Sequence, residues 1–295
     1  MNPRSQLSAA SLATTAVLIW STPPVIARAL SGAIPPITLS YSRWFFGVIV
    51  LLPFVWRRLP AELPRLRPHM LSLTLLSLFM IAGSTLSTVA VYFTTATNVV
   101  IVNASQPAIT ATVAFVVARE RLSIIQAIGI ACAFAGIVIM MSRADLSVLT
   151  SLDFASGDLI MLCAVLGWSL YAVFVHRREY SPPPDILIFF IAAVGAVVML
   201  PPYLAEVLIV GGFEPRAAYG GAMLYLAAFP TLLATFCWNH AIHTLGANRA
   251  AIFINLIPVF GAGFAMLFLG ERLYSWHFAG AAFVFAGIAL AARRG

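Results

Sequence analysis

The chain has 295 residues, of which 61% are hydrophobic and 9% charged. A soluble domain is nearer half apolar and roughly one quarter charged, so this composition cannot solvate a globular surface. It excludes a soluble enzyme, a disordered chain and a nucleic-acid-binding module. The net charge of +7 does not reverse this, because all 17 basic residues are arginines and most sit between apolar runs.

Crossing a bilayer takes roughly 20 apolar residues in a helix. Breaks at Arg, Pro, Gly and acidic residues divide the chain into ten such blocks, near 7–27, 36–56, 70–92, 97–118, 124–142, 157–176, 185–208, 219–243, 249–269 and 275–292. The blocks are continuous, whereas a membrane β-barrel alternates apolar and polar residues. The expected fold is therefore all-α: a polytopic membrane protein of ten transmembrane helices with short connections. The first block reads as a span, not as a cleaved leader, because no small-residue cleavage pattern leads into a polar chain.

Arginine placement gives the orientation. With the N-terminus inside, the cytoplasmic segments hold 12 arginines and the outer segments hold Arg28, Arg143, Arg216 and Arg272. That bias predicts cytoplasmic N- and C-termini. Cys132, Cys163 and Cys237 all fall within spans. No disulfide framework, metal site or cofactor is indicated. The chain carries no Walker motif, hence no ATPase of its own.

An internal repeat organises the ten spans. Residues 91–143 and 242–294 align without a gap at 15 of 53 positions, including Pro107 with Pro258 and Glu120-Arg121-Leu122 with Glu271-Arg272-Leu273. Near the start of each half, Trp20-Ser21 matches Trp168-Ser169. The chain is thus expected to hold two repeats, 1–146 and 147–295, of five spans each. Five is odd, so the repeats enter the membrane from opposite sides. Inverted repeats are common in secondary transporters, whose solute site lies near the midplane between the halves.

The run Leu245-Gly246-Ala247-Asn248-Arg249-Ala250-Ala251, with Pro258-Val259, Leu269-Gly270-Glu271-Arg272-Leu273, Gly280 and Gly287, resembles the EamA domain. Two such domains in tandem resemble the drug/metabolite transporter superfamily over nearly the whole chain. The resemblance implies export of amino acids or related metabolites through a bacterial inner membrane. Within the superfamily the chain is most similar to exporters of aromatic amino acids. A multidrug or other metabolite exporter of the same fold, and a channel-like facilitator, are the competing readings.

Polar groups in hydrocarbon are costly unless they meet a cavity or a partner, which selects the candidate cavity residues. Trp20, Ser21, Trp168 and Ser169 lie mid-span and are related by the repeat; packing is their alternative role. Ser84, Ser87 and Thr88 of span three correspond to Thr235, Trp238 and Asn239 of span eight, with interhelical hydroxyl contacts as the alternative. Asn103, Gln106 and Thr110 put one polar face on span four, and Asn255 lies in span nine. Pro107 and Pro258 are expected hinges, with a static kink as the alternative; Pro23, Pro24 and Pro230 are weaker candidates. Gly129, Gly136, Gly280 and Gly287 have the spacing of a close helix seam.

Arg43 is expected to snorkel or to bond helix carbonyls, since the EamA resemblance includes an arginine there; binding an anion is the alternative. His240 and His243 fall toward the cytoplasmic end of span eight. No carboxylate lies near a span centre, with Asp158 and Glu206 the deepest. This disfavours a cationic drug, and the lack of lysine disfavours a phosphorylated solute. A neutral or zwitterionic solute remains, and Trp20, Trp168 and Trp238 suit one with an apolar or aromatic side chain. The partners expected are this solute and lipid, with no nucleic acid, and a single chain can suffice.

Overall fold

The computed structural model describes residues 3–291 other than 120–122, 146, 149–153, 178–179, 181, 215, 246–252 and 255. Among the described residues there is no strand. The chain opens with α1 (Pro3–Trp20) and α2 (Thr22–Leu30), separated at Ser21. Pro23 and Pro24 occupy the first turn of α2, where a missing N–H costs nothing but continuation from α1 is blocked. Then follow α3 (Pro36–Val55), the short α4 (Leu59–Leu66), and α5 (Met70–Phe93).

The next span is broken into α6 (Ala96–Ala104) and α7 (Gln106–Ala118), bent by 45° at Ser105 just ahead of Pro107. Helix α8 (Ile124–Met141) starts on a capping box in which Ser123 and Gln126 exchange side-chain and backbone bonds. After α9 (Ser156–Arg177) come α10 (Pro184–Val198) and α11 (Leu200–Val210), bent by 41°. One span is expected over 185–208, and the structure bends it. Pro201 and Pro202, in the first turn of α11, remove the amide donors that would have continued α10.

Helix α12 (Ala217–Ala228) runs through a π-helical turn (Phe229–Leu233) into α13 (Ala234–Leu245), and Pro230 lies in that turn. The chain ends with α14 (Ile257–Leu269), carrying Pro258 in its first turn, and α15 (Ser275–Ala291). Of the five prolines singled out from the sequence, Pro23, Pro24, Pro107 and Pro258 sit in first turns of helices and Pro230 in a π-helical turn of a continuous helix. Among the described residues, six helices are long and apolar enough to cross a bilayer, or up to eight if each bent pair is one span. Residues 257–269 and 275–290 form two shorter apolar helices.

The outer surface is apolar, as lipid contact requires. Phe45, Ile49 and Leu52 on α3, and Leu267 and Phe268 on α14, are all exposed. Inside, the main packing pairs are α8 with α15, α5 with α9, α1 with α13, and α3 with α10. Glycines set the closest of these. A Cβ on Gly136 would lie 2.6 Å from the Gly280 carbonyl, and one on Gly287 would lie 2.5 Å from the Gly129 carbonyl. This is the seam expected for α8 and α15. Gly83 and Gly167 do the same for α5 and α9, where a Cβ on Gly167 would be 2.8 Å from the Gly83 nitrogen.

Two acidic side chains cap helix starts within the bundle. Glu206 of α11 accepts from the Ile37 and Thr38 amides at 3.0 and 2.6 Å and from the Thr38 hydroxyl at 2.8 Å. Glu271 accepts from the Ala96 and Thr97 amides at 2.8 and 2.9 Å and from the Thr97 hydroxyl at 2.7 Å. Each carboxylate satisfies amides that a helix leaves unpaired at its start, and meets the positive end of the helix dipole.

Candidate functional site

The polar face of span four opens on a cavity of about 540 Å³ at the α6–α7 break. Its walls are Asn103, Ala104, Gln106, Pro107, Thr110, Ala111 and Ala114 on one side, and Ile254, Ile257 and Pro258 on the other. The volume falls in the range of small-molecule sites, roughly 300–1,000 Å³. The chemistry is mixed: two carboxamides and one hydroxyl stand among alanine, isoleucine and proline. An amide offers both an acceptor and donors, so Asn103 and Gln106 can meet either end of a zwitterion without a fixed charge.

Both broken helices are tied to the opposite half of the chain. The buried Ser169 of α9 lies 3.0 Å from the Thr110 hydroxyl, three residues beyond Pro107. The buried Ser21 bonds the Val17 carbonyl of its own helix at 2.7 Å and also reaches the Ile257 carbonyl, next to Pro258, at 3.3 Å. The two serines related by the repeat therefore each meet the proline-broken helix of the other half.

The tryptophans serve these junctions in different ways. Trp20 donates its indole N–H to the Pro230 carbonyl at 3.0 Å, a carbonyl inside the π-helical turn, and its ring is 5.4 Å from that of Trp238. Trp168 lies against Gly83, whose Cβ would be 2.9 Å from the indole Cδ1. Neither Trp20 nor Trp168 is among the residues that line the 540 Å³ cavity. On α5, Ser84 and Thr88 are buried, and the Thr88 hydroxyl bonds the Ser84 carbonyl at 3.1 Å. Ser87 and Thr235 are half-buried, as is Trp238. Asn255 and the side chains of Asn239 and His243 lie outside the described residues, while His240 is exposed.

A second cavity, of about 620 Å³, holds most of the polar chemistry that the sequence left unremarked. It is lined by Arg28, Arg143 and Arg272, by Tyr92, Tyr274, Trp276 and His277, and by the start of α6. Bonded to two of its lining residues, Asp158, only 2% exposed, accepts from the Thr94 hydroxyl at 2.6 Å and from the Asn98 side-chain amide at 3.1 and 3.2 Å. The Asn98 oxygen then faces His277 Nε2 at 3.0 Å, and the Tyr274 amide donates to His277 Nδ1 at 3.0 Å. With Nδ1 accepting, Nε2 carries the proton, so His277 is a neutral imidazole with both nitrogens engaged. Asp158 had been recognisable as a deep carboxylate. Asp158, the Thr94–Asn98 stretch and the Tyr274–His277 stretch are three separate segments, and no spacing in the sequence joins them.

Among the described residues no group of three or more His, Cys, Asp or Glu side chains forms a metal site. Among the described residues, an all-helical bundle with an apolar exterior and a solute-sized cavity between the α6–α7 break and the start of α14 is the build of a polytopic membrane protein. The EamA-like transporter family matches the chain twice, over residues 7–142 and 155–293. The chain belongs to this family, and it is a membrane transporter of the exporter type found in the drug/metabolite transporter superfamily.

Named relatives agree with that class. The chain is 25% identical over 224 residues to an uncharacterized transporter of Bacillus subtilis, YyaM, covering 75% of this chain and 73% of the relative. It is 24% identical over 281 residues to an uncharacterized transporter of Archaeoglobus fulgidus, covering 92% and 91%. It is 27% identical over 179 residues to a protein of Salmonella typhimurium named a probable amino-acid metabolite efflux pump, covering 57% and 58%. A solved crystal structure shares the fold with a TM-score of 0.61 over 97% of this chain and 98% of that one, at 21% identity.

Proposed function

We propose that the protein exports neutral or zwitterionic amino acids, with preference for apolar or aromatic side chains, by alternating access. The observation that carries the reading is the 540 Å³ cavity between two proline-broken helices, where Asn103, Gln106 and Thr110 are the polar groups in an apolar wall. Such a wall offers hydrogen bonds for an amino and a carboxylate group and apolar contact for a side chain. The Salmonella relative's name points to the same solute class.

In this reading the chain forms ten spans in two inverted repeats, 1–146 and 147–295, and the halves rock about the central cavity. The two family matches fall one in each repeat. The packing is also consistent with a twofold relation. Exchanging the halves turns the pair α5 with α9 into α13 with α1, and leaves α8 with α15 and α3 with α10 paired as they are. The breaks at Pro107 and Pro258 are the proposed hinges. The membrane is a bacterial inner membrane, with the termini cytoplasmic and the 620 Å³ cavity facing outward.

Counterflow in proteoliposomes tests this. Vesicles preloaded with an unlabelled amino acid should take up its labelled form saturably, aromatic and large aliphatic solutes best. Uptake that rises linearly without saturation indicates a channel instead. Uptake of cationic drugs but of no amino acid ends the reading.

A further inference from the structure

We propose that the 620 Å³ cavity is a binding site for a small organic oxyanion, separate from the cavity at the α6–α7 break. Arg28, Arg143 and Arg272 all line it. They come from the last turn of α2, the turn after α8 and the segment before α15. These are three of the four arginines assigned to outer segments from the sequence. Positive charge is scarce on that side of a membrane, and here most of it is gathered around one cavity.

The carboxylates nearby do not take up this charge by direct contact. Glu271 gives both oxygens to the start of α6, and Asp158 gives both to Thr94 and Asn98. Asp145, two residues from Arg143, accepts from the Ser147 amide and hydroxyl at 2.8 and 2.7 Å. Arg143 feels the Coulombic attraction of Asp158. Yet among the described residues neither Arg143 nor Arg272 makes a side-chain hydrogen bond or an ion pair, and both are exposed. Arg28 donates one guanidinium nitrogen to the Val91 carbonyl at 2.8 Å, which fixes the group and leaves its other donors.

The backbone at Arg143 adds a second observation. Its φ is 55° and that of Ala144 is 56°, both in the left-handed region that suits glycine. Glycine would serve this turn better than arginine, so the arginine has its use in the side chain. Tyr274 and Trp276, on the same cavity, stack with centroids 4.4 Å apart and planes 7° from parallel. Tyr274 is also exposed, so the stack offers a flat aromatic face.

The ligand that matches carries a carboxylate or phosphate, which guanidinium forks bind through two oxygens at once. A planar group on it would lie against the aromatic face. It carries no ammonium, because the carboxylates and the Asn98 oxygen are already engaged while guanidinium donors are free. This chemistry differs from that of the 540 Å³ cavity, whose carboxamides suit a zwitterion. A soluble arylcarboxylate and the phosphate of an anionic lipid headgroup both present such an oxyanion.

The test is calorimetric binding to the purified full chain in detergent, with 3-phenylpropionate and its neutral counterpart 3-phenylpropanamide. The wild type should bind the carboxylate about tenfold more tightly than the amide, or better. Equimolar L-phenylalanine should leave that affinity nearly unchanged. Arg143→Gly suits the left-handed backbone, so its melting temperature should not fall, while carboxylate affinity should drop severalfold. Arg272→Gln should drop it likewise. Arg216→Gln, at an exposed ion pair that does not line the cavity, should leave it unchanged. Glycerol phosphate and a short-chain phosphatidylglycerol, titrated as competitors, separate the two sources. Competition by the lipid far beyond that of glycerol phosphate assigns the site to headgroups; otherwise its ligand is soluble, and the site stands in both cases. Equal binding of carboxylate and amide by the wild type overturns the proposal. So does wild-type carboxylate affinity in Arg143→Gly and Arg272→Gln, an equal loss in Arg216→Gln, or full displacement by equimolar L-phenylalanine.

Discussion

The Ser169 hydroxyl lies 3.0 Å from that of Thr110, so α9, at the start of the second half, grips the broken helix of the first half just past Pro107. Ser21 reaches the Ile257 carbonyl beside Pro258 in the same sense. These two bonds lie where a rocking of one half on the other would shift α7 and α14. Ser169→Ala and Ser21→Ala each remove one modest bond between the halves, about 1 kcal/mol, and Ser21→Ala also the local bond to Val17. Each should change the maximal counterflow rate by severalfold while leaving solute affinity nearly unchanged. A pure affinity change in both variants would argue that the serines touch solute directly.

Gln106 and Asn103 are the amides of the cavity wall. Gln106→Ala and Asn103→Ala should each weaken half-saturation for an amino acid about tenfold to a hundredfold, the range for a hydrogen bond to a charged group, about 1.5–3 kcal/mol. Thermal stability should stay close to that of the wild type. Unchanged kinetics in both variants removes the cavity assignment.

The glycine seam makes a stability prediction with its own control. Gly136→Val would drive a side chain into the Gly280 backbone, where a Cβ already falls at 2.6 Å, whereas a Cβ at Gly221 meets nothing within 4 Å. Gly136→Val should cost about 1–3 kcal/mol or more through overpacking. It should lower the melting temperature in detergent sharply. Gly221→Val should leave the melting temperature nearly unchanged, and equal melting of the two variants contradicts the seam.

Glu271 holds the start of α6 through two amides and a hydroxyl. Glu271→Ala leaves those donors unpaired and should cost about 1–3 kcal/mol. Glu271→Gln keeps acceptor geometry on one oxygen and should lose less. The order wild type, Gln, Ala in melting temperature is the expected outcome; an inverted order indicates that the carboxylate is under repulsion there.

Topology and coupling are both measurable in vesicles. Single cysteines placed near Arg121 and near Arg272, in a background without native cysteine, should label from opposite sides of the membrane; labelling from one side ends the inverted repeat. The buried Asp158 and the carboxylates of Glu206 and Glu271 are engaged by hydroxyls and amides of other helices, so in the proposed reading export of a zwitterion should run down its own gradient. Labelled exchange at equal pH should be nearly insensitive to a proton ionophore. Accumulation driven by a pH gradient, and lost in His240→Ala or His243→Ala, would instead mark proton coupling.

Composition and apolar block length alone determined that this chain is a helical membrane protein, because hydrocarbon permits no other use of so much continuous apolar sequence. Pro23, Pro24 and Pro107 marked helix breaks, since a missing amide acts within its own turn, whereas the break at Pro201 and Pro202 was not read from the sequence; the matched glycines located the α8–α15 seam. The EamA pattern supplied the class. What the sequence could not reach are contacts between side chains far apart in the chain. Trp20 and Trp168 look alike as motifs, yet one spends its N–H on Pro230 and the other lies over Gly83. Asp158, Asn98 and His277 carry no shared spacing, and only packing joins them.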